Sequence, residues 1–277
     1  MPEVGLTFLS FANKYGGEVV GLAIAFRASA EWRINTRDHL EGKYTSSTPV
    51  GGGLGTTGAV NVAMITAIDK GRSSSLQIAE KAFEYENLLG NTGGKQDQYF
   101  AALGGFNHLI FNAEGVSKLR FAIDEEMKCW LHRQLHVYDT RIQHDSGALH
   151  DLIWEKFLSG DEVVIEALMN LKASAGEMAE ALESGDKSNV AGVMRRTCKA
   201  TFGLHPGISK PYQDVIEPLY QSRDILSWKP VGAGAGGCVM MLVRDGCETI
   251  VRDVCEQANW SRLSRDYDDE GVCVEAV

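Results

Sequence analysis

The pattern of hydrophobic and polar positions predicts strands early in the chain and helices soon after them. Residues 18–26 are mostly apolar, residues 28–35 alternate apolar with polar side chains, and both segments predict β-strands. The polar segment 38–47 predicts a surface loop. Residues 60–69 follow a glycine-rich stretch and predict a helix, and residues 75–89 repeat apolar side chains at the spacing of a second helix.

Farther along the chain, short elements give way to a long helical region. Glycine pairs bracket a short helical segment that carries Lys95, Asp97 and Gln98, and residues 108–111 predict a strand. The remaining predicted elements are a strand at 131–139, a polar loop at 140–147, helices at 149–157, 163–182, 190–202, 212–222 and 248–258, and strands at 238–243 and 272–274. This order predicts an α+β fold of two lobes, 1–120 and 121–277, that meet near residues 112–130.

Composition and charge exclude some classes of function. The chain of 277 residues is 44% hydrophobic and carries a formal net charge of −10, which argues against nucleic acid binding because that needs a basic surface. No apolar run approaches the ~18 residues of a membrane span. The six cysteines show no zinc-ligand spacing and the chain shows no signal peptide, so we expect reduced thiols in a cytoplasmic protein.

Residues 49–59 read Pro-Val-Gly-Gly-Gly-Leu-Gly-Thr-Thr-Gly-Ala and open directly into a predicted helix. Glycines leave room for a ligand close to the backbone, and free N–H groups at the start of a helix favour an anion, phosphate above all. The alternative is a flexible turn capped by Thr57. The stretch is neither a Walker A loop nor the dinucleotide-binding glycine pattern.

Two carboxylates are candidates for chemistry. Asp97 lies between glycine pairs, and the nearby cation of Lys95 is expected to keep it ionised and able to accept a proton. Its alternative role is a helix cap. Glu86, on the preceding helix, could complete a minimal Mg²⁺ site with a hydroxyl of the glycine-rich stretch, since Mg²⁺ keeps several waters. Its alternative is a solvated helix face.

Three further segments are weaker candidates. The cation-bearing loops 141–144 and 205–210 could hold a phosphate or a sugar, or could be surface loops. The second glycine-rich stretch, residues 232–237, enters a strand and is either a tight turn or a place where a ligand meets the backbone.

Taken together, these motifs resemble the GHMP kinase superfamily. Residues 49–59 are similar to its nucleotide loop, Pro-x-x-x-Gly-Leu-Gly-Ser-Ser-Ala, with threonines in place of the serines. Residues 232–237 resemble its C-terminal glycine motif. Gly-Lys-Gln-Asp-Gln-Tyr at 94–99 and Gly-Gly-Phe-Asn at 104–107 resemble the branch of bacterial sugar kinases that act on heptose phosphates.

The resemblance implies a two-lobed α+β kinase fold, with a ribosomal-protein-like N-terminal lobe and a ferredoxin-like C-terminal lobe. It implies an ATP- and Mg²⁺-dependent sugar kinase that phosphorylates a hydroxyl, expected to be anomeric, of a heptose or another higher-carbon sugar phosphate. The implied binding partner is this small molecule. No membrane association is implied, and a homodimer is possible. Alternatives are a catalytically weak nucleotide-binding protein of the same fold, or a kinase of another small alcohol.

The resemblance also implies a role for individual residues. Asp97 would accept the proton of the attacking hydroxyl, assisted by Lys95, and Thr57 with Glu86 would bind Mg²⁺. The implied ATP-binding residues are Gly51, Gly52, Gly53, Leu54, Gly55, Thr56, Thr57 and Gly58. Those implied for the substrate are Arg141, Gly234 and Gly236.

Two departures from the family pattern carry expectations of their own. The usual first strand, which ends in Gly-Gly-Gly-Thr-Asp, is missing or shortened, and Thr7 or Phe8 stands where its aspartate belongs. We therefore expect either a misplaced gene start or an altered sugar site. The family glutamate aligns with Tyr85 when counted back from Gly90, and with Glu86 by the upstream register; we favour Glu86.

Overall fold

The computed structural model describes residues 16–34, 40–47, 52–90, 94–143, 146–263 and 266–275, and it shows the expected α+β architecture. The strands are β1 Gly17–Leu22, β2 Ala28–Ile34, β3 Leu40–Ser46, β4 Phe106–Asn112, β5 Gly115–Lys118, β6 Leu135–Asp139, β7 Ile225–Pro230, β8 Cys238–Val243 and β9 Ser261–Arg262. The helices are α1 Thr56–Asp69, α2 Ser75–Leu88, α3 Gln96–Leu103, α4 Glu125–Gln134, α5 Ser146–Leu158, α6 Glu162–Glu183, α7 Lys187–Leu204, α8 Gln213–Gln221 and α9 Glu248–Gln257, with a 3₁₀ turn at Lys210–Tyr212.

The N-terminal part is built on an antiparallel sheet with strand order β1-β4-β5. Helices α1, α2 and α3 share its core, in which Ile78, Tyr99 and Leu109 are buried. Helix α2 begins at a capping box, because Ser74 and Gln77 bond reciprocally to each other's backbone N–H. The three helical segments predicted in this part are confirmed, and the observed boundaries of α1 and α2 lie within a few residues of the predicted ones.

The predicted surface loop at 38–47 is wrong, since residues 40–46 form strand β3. This strand pairs with β2 in an antiparallel hairpin, with Trp32 opposite Gly42. A Cβ on Gly42 would lie 2.7 Å from the Trp32 ring, and the Trp32 indole N–H donates to the carbonyl of Met64 at 3.1 Å. Strand β3 is stabilised by its main-chain hydrogen bonds to β2 and by the ring of Trp32. Because it does not depend on buried side chains of its own, its sequence shows no alternation of hydrophobic residues.

The C-terminal part is built on a second antiparallel sheet with strand order β7-β8-β6-β9. The predicted strand at 131–139 is half wrong, because α4 continues to Gln134 and only Leu135–Asp139 is a strand. Asp124 caps α4 by accepting from the Met127 N–H at 2.7 Å, and few apolar residues mark its buried face. Strand 238–243 and the helices after residue 148 are confirmed as predicted in type.

The end of the described chain returns to the first sheet instead of forming the predicted strand at 272–274. Tyr267 forms an isolated bridge with Ile24, and the Val272 N–H donates to the carbonyl of Ala102. Here two backbones touch, because a Cβ on Gly104 would lie 2.2 Å from the Gly271 nitrogen. The two predicted lobes are thus tied together by the C-terminal segment, and their boundary at 120 stays a prediction.

No helix among the described residues combines the length and the apolar character needed to cross a lipid bilayer.

Candidate active site

The first wall of the site is the glycine-rich loop at the start of α1. Gly53 and Gly55 have φ of 72° and 70°, a conformation that glycine adopts without strain. Gly55 caps α1 without any side-chain hydrogen bond, and no acidic residue lies in the first turn. Thr57 is exposed and lies at this end of the helix. The first turn of α1 therefore carries no acidic residue of its own to offset the positive end of the helix dipole. Gly51 lies outside the described residues.

The second glycine-rich stretch packs directly on the first. A Cβ on Gly53 would lie 2.7 Å from the carbonyl oxygen of Val231, and one on Gly232 would lie 2.9 Å from that of Gly53. The Cys238 N–H donates to the carbonyl of Gly52 at 2.9 Å. Because these contacts join backbone to backbone, the loop at the start of α1 is fixed by the strand pair β7-β8 of the other lobe.

Gly234 and Gly236, predicted to meet the substrate, are engaged by protein groups. The N–H of Gly236 donates to the Tyr212 hydroxyl at 2.9 Å, and the same hydroxyl donates to the Gly236 carbonyl at 2.5 Å. A Cβ on Gly234 would lie 2.6 Å from Ile208. The glycines are thus accounted for by close packing, which supports the tight-turn alternative, and their role toward a substrate stays a prediction.

Asp97 lies against the start of α1, in the first turn of α3. A Cβ on Gly55 or on Gly58 would lie 3.0 Å from the Asp97 side chain, so a larger residue at either position would crowd this carboxyl. Desolvation first, and then repulsion from Glu86, raises the pKa of Asp97 to about 6 against a hydrogen bond from Gln96. The residue keeps an accessible side, where water offsets part of this desolvation and where a substrate would approach.

Glu86 is buried, so the alternative of a solvated helix face is wrong. Its side chain accepts from the Asn61 amide at 3.3 Å and from the Gln98 amide at 2.5 Å. Tyr85 is only partly buried, which agrees with the choice of Glu86 as the inward-facing residue. Gln98 and Asn61 were not predicted as site residues, although both follow motif residues by a few positions on helices that reach the site.

Lys95 does not neutralise Asp97, which corrects that expectation. Its Nζ lies 2.6 Å from Oε1 of Glu80 and 4.7 Å from the centre of the Phe83 ring. The cation thus pairs with α2, while the charge that Asp97 senses is the negative one of Glu86. Desolvation, and after it the charge of Glu86, therefore raises the pKa of Asp97 with no contribution from Lys95 to offset it. A part for Lys95 in catalysis stays a prediction.

Arg141 is held at the edge of the C-terminal sheet. Its guanidinium donates to Oδ1 of Asn259 at 3.1 Å and to the Ser261 hydroxyl at 2.6 Å. Its backbone has a φ of 58°, and its N–H donates to Asp139 at 2.8 Å. The structure does not join Arg141 to Asp97 or Glu86 by any hydrogen bond or ion pair among the described residues, and its predicted role stays a prediction.

The donors around Glu86 suit a hard cation such as Mg²⁺. Glu86, Asp97 and the Gln98 amide offer oxygen ligands, and the buried Oε1 of Gln98 has no hydrogen-bond partner. Carboxylate oxygens are ligands that a hard divalent cation prefers, and such a cation would offset the repulsion that Glu86 exerts on Asp97. Within the described ranges, no group of three or more histidine, cysteine, aspartate or glutamate side chains forms a metal cluster, so water and phosphate would complete the shell.

We expect Glu86→Gln to lower the pKa of Asp97 in the metal-free protein. The amide keeps an oxygen that accepts from Asn61 and Gln98, but it removes the negative charge that helps to raise this pKa. Desolvation remains, so the pKa should fall from about 6 without reaching the ordinary value of 3.8. A carbon-13 NMR titration of the Asp97 carboxyl measures it directly.

Glu80→Gln is the matched control on the same helix, since Glu80 pairs with Lys95 and makes no contribution to the Asp97 pKa. An unchanged Asp97 midpoint in the Glu86 variant, or an equal fall in both variants, would contradict the coupling.

Comparison with known proteins identifies the class. Residues 18–105 match the family of GHMP kinases N terminal domains. This range contains both the glycine-rich loop and Asp97. The N-terminal part is therefore a GHMP kinase N-terminal domain, and the chain as a whole has the fold of the GHMP kinase superfamily, as its motifs predicted.

Its relatives include kinases of sugars. The chain is 30% identical over 207 residues to a D-glycero-alpha-D-manno-heptose 7-phosphate kinase of Campylobacter jejuni, a match that covers 72% of this chain and 59% of that protein. It is 26% identical over 257 residues to an L-fucokinase/L-fucose-1-P guanylyltransferase of Bacteroides fragilis, covering 88% of this chain and 26% of the relative. The chain thus spans only part of the length of these relatives.

Solved structures share the fold at low sequence identity. A D-glycero-D-manno-heptose 1-phosphate kinase from Bacteroides thetaiotaomicron superposes with a TM-score of 0.75 at 17% identity, covering 96% of this chain and 93% of that one. The mevalonate kinase of Methanococcus jannaschii superposes with a TM-score of 0.65 at 17% identity, covering 93% of both chains. These similarities establish the architecture and leave the substrate open.

Proposed function

We propose that this protein is an ATP-dependent kinase that transfers the γ-phosphoryl group to a hydroxyl of a sugar. The observation that carries the proposal is the position of Asp97. Its carboxyl, with a pKa near 6, packs against the two glycines that open α1, at the point where the two lobes meet. A base beside an anion-binding helix end is the minimal arrangement for phosphoryl transfer, which needs positioning and charge stabilisation above all.

The glycine-rich loop is proposed to hold the ATP phosphates. A helix start directs its first backbone N–H groups outward, and Gly55 supplies no side-chain cap to them. The packing of Gly53 on Val231 and Gly232 fixes this loop before a nucleotide arrives. A fixed loop lowers the ordering cost of binding and places the γ-phosphate near Asp97.

Asp97 is proposed to take the proton of the attacking hydroxyl. A carboxyl with a pKa near 6 is mostly ionised at neutral pH and is a stronger base than an ordinary aspartate. The acceptor hydroxyl would enter from the accessible side of Asp97, where it can donate to a carboxylate oxygen. Transfer of this proton leaves an alkoxide character on the sugar oxygen, which attacks the phosphorus in line with the leaving ADP.

Glu86 and a hydroxyl at the start of α1 are proposed to bind Mg²⁺ together with the nucleotide. Bound there, the ion would neutralise charge on the transferred phosphoryl group. The chain's own part is to orient the Glu86 carboxyl through its hydrogen bonds with Asn61 and Gln98. Without Mg²⁺, the negative charge of Glu86 adds to desolvation in raising the pKa of Asp97.

We propose a heptose or another higher-carbon sugar phosphate as the acceptor, phosphorylated at its anomeric hydroxyl. The support is the segment from Gly94 to Tyr99, which carries Asp97 and resembles the heptose phosphate kinases, together with the relative at 30% identity. A non-phosphorylated sugar and a small non-sugar alcohol are the competing acceptors, since relatives of this chain include an L-fucokinase and a mevalonate kinase.

The proposal is tested by ADP release from ATP and Mg²⁺ across a panel of heptoses, heptose 7-phosphates, fucose, glucuronate and mevalonate. We expect turnover with one sugar class, highest for a heptose phosphate. Nucleotide binding without ADP release for any member would instead favour a binding protein of the same fold. Turnover restricted to mevalonate would contradict a sugar acceptor.

A further inference from the structure

A second concave site lies far from Asp97, at the opposite end of the strand pair β7-β8. It consists of two adjoining clefts of about 310 and 290 Å³ that share Leu226 and Arg244. Leu226 lies near the start of β7, and Arg244 directly follows the end of β8. The glycine-rich loop 232–237 joins the other ends of these strands, and strands of six residues place the two sites roughly 20 Å apart.

Three arginines line the larger cleft: Arg195 of α7, Arg223 after α8 and Arg244 after β8. All three are exposed, and none forms an ion pair with a carboxylate in the part of the chain that the structure describes. Arg133 lines the adjoining cleft. In a protein with a net charge of −10, unpaired cations gathered from three elements are a local exception that suits an anion.

The acidic side chains of this region are occupied by neutral donors. Asp224 accepts from the Ser222 hydroxyl, and Asp245, which lines the adjoining cleft, accepts from the Gln134 amide at 3.3 Å. Both carboxylates keep their negative charge, but the two clefts together are lined by four arginines and one aspartate, so positive charge is in excess.

The structure fixes the guanidinium of one of these arginines and the backbone of another before any ligand arrives. The guanidinium of Arg195 donates to the carbonyl of Leu226 at 2.9 Å, which fixes one edge and leaves the others free. Arg223 has a φ of 65° just after α8, where its N–H donates to the carbonyl of Tyr220 at 3.2 Å. Glycine is the usual residue at such a helix end, so an arginine there keeps a guanidinium at a cost in backbone strain.

We propose that this three-arginine cleft binds the phosphate group of a small metabolite. Guanidinium groups form paired hydrogen bonds with phosphate oxygens, and three of them around one cleft match a dianion better than a carboxylate. The cleft volume falls at the small end of ligand sites, and the adjoining cleft gives room for the body of the metabolite beside Trp130. The site is separate from the proposed kinase site and does not depend on its activity.

The test is binding of inorganic phosphate and of a hexose 6-phosphate, measured by calorimetry and by thermal shift at an ionic strength held constant with chloride. The variants are Arg195→Gln, Arg223→Gly and Arg244→Gln. Arg196→Gln is the matched control, since Arg196 is the next residue on α7 but pairs with Glu177. We expect each cleft variant to lose at least tenfold in affinity and the control to bind like the wild type.

Arg223→Gly separates binding from folding. Glycine relieves the positive φ, so the melting temperature without phosphate should stay equal or rise while binding is lost. The hexose phosphate binding more tightly than inorganic phosphate would support a metabolite, whereas equal affinities would support free phosphate as the occupant. Wild-type affinity in all three cleft variants would overturn the proposal, as would an equal thermal shift with chloride alone.

Discussion

Replacing Asp97 by asparagine is expected to reduce kcat by about 10²–10⁴-fold while ATP still binds. Asparagine keeps the size of the side chain and its contacts with Gly55 and Gly58, but it cannot accept the proton of the attacking hydroxyl. Steady-state kinetics with saturating ATP and sugar measure the loss, and a direct nucleotide titration checks that binding is intact. Full turnover in this variant would show that Asp97 is not the base.

The same substitution should stabilise the fold at high pH. Desolvation and the charge of Glu86 raise the folded-state pKa of Asp97 from 3.8 to about 6. The free energy of unfolding therefore falls as the pH rises from the lower to the higher of these values, because the unfolded state ionises first. The variant lacks this penalty. We expect its free energy of unfolding to exceed that of the wild type by about 1 kcal/mol at pH 8, after allowance for water at the accessible side, and by nothing below pH 4. Urea unfolding at both pH values measures the difference.

Replacing Gly104 by alanine is expected to cost about 3–5 kcal/mol of stability, a large share of a typical total. Gly104 adopts φ 62° and ψ 175°, a region open almost only to glycine, and its Cβ would lie 2.2 Å from the Gly271 nitrogen. The substitution should therefore push the C-terminal segment off the first sheet. Chemical denaturation followed by circular dichroism measures the loss.

Gly90→Ala is the control that measures the cost of a positive φ without a steric clash. Gly90 also has a positive φ, of 82°, but no atom lies within 4 Å of where its Cβ would be. We expect a loss of only about 1 kcal/mol there. Equal losses at the two positions would mean that the contact between Gly104 and Gly271 contributes nothing.

The elements with strong local signals were predictable from the sequence. Helix α2 follows from its apolar spacing, and the buried position of Glu86 follows because it lies three and four residues after Phe83 and Ala82 on one helix face. Strand β8 is a continuous apolar run between a glycine-rich stretch and a turn. Each of these depends on a periodicity that a short window of sequence contains.

The remaining features depend on partners distant in the sequence. Strand β3 has a polar sequence and exists through its pairing with β2, so no local pattern marks it. Lys95 selects Glu80 over its near neighbour Asp97, a choice that the packing of α2 against α3 decides. Likewise, the contact of Gly53 with Gly232 joins two motifs that the sequence presents separately.

We infer that this chain transfers phosphate from ATP to a sugar hydroxyl with Asp97 as the base. Phosphorus NMR of the purified protein with ATP, Mg²⁺ and a heptose 7-phosphate tests it most directly, with the Asp97→Asn variant beside it. We expect a new sugar 1-phosphate signal that grows as the γ-phosphate signal declines, and that is absent with the variant. An unchanged spectrum across the sugar panel, with nucleotide bound, would contradict it, and so would equal product formation by the variant.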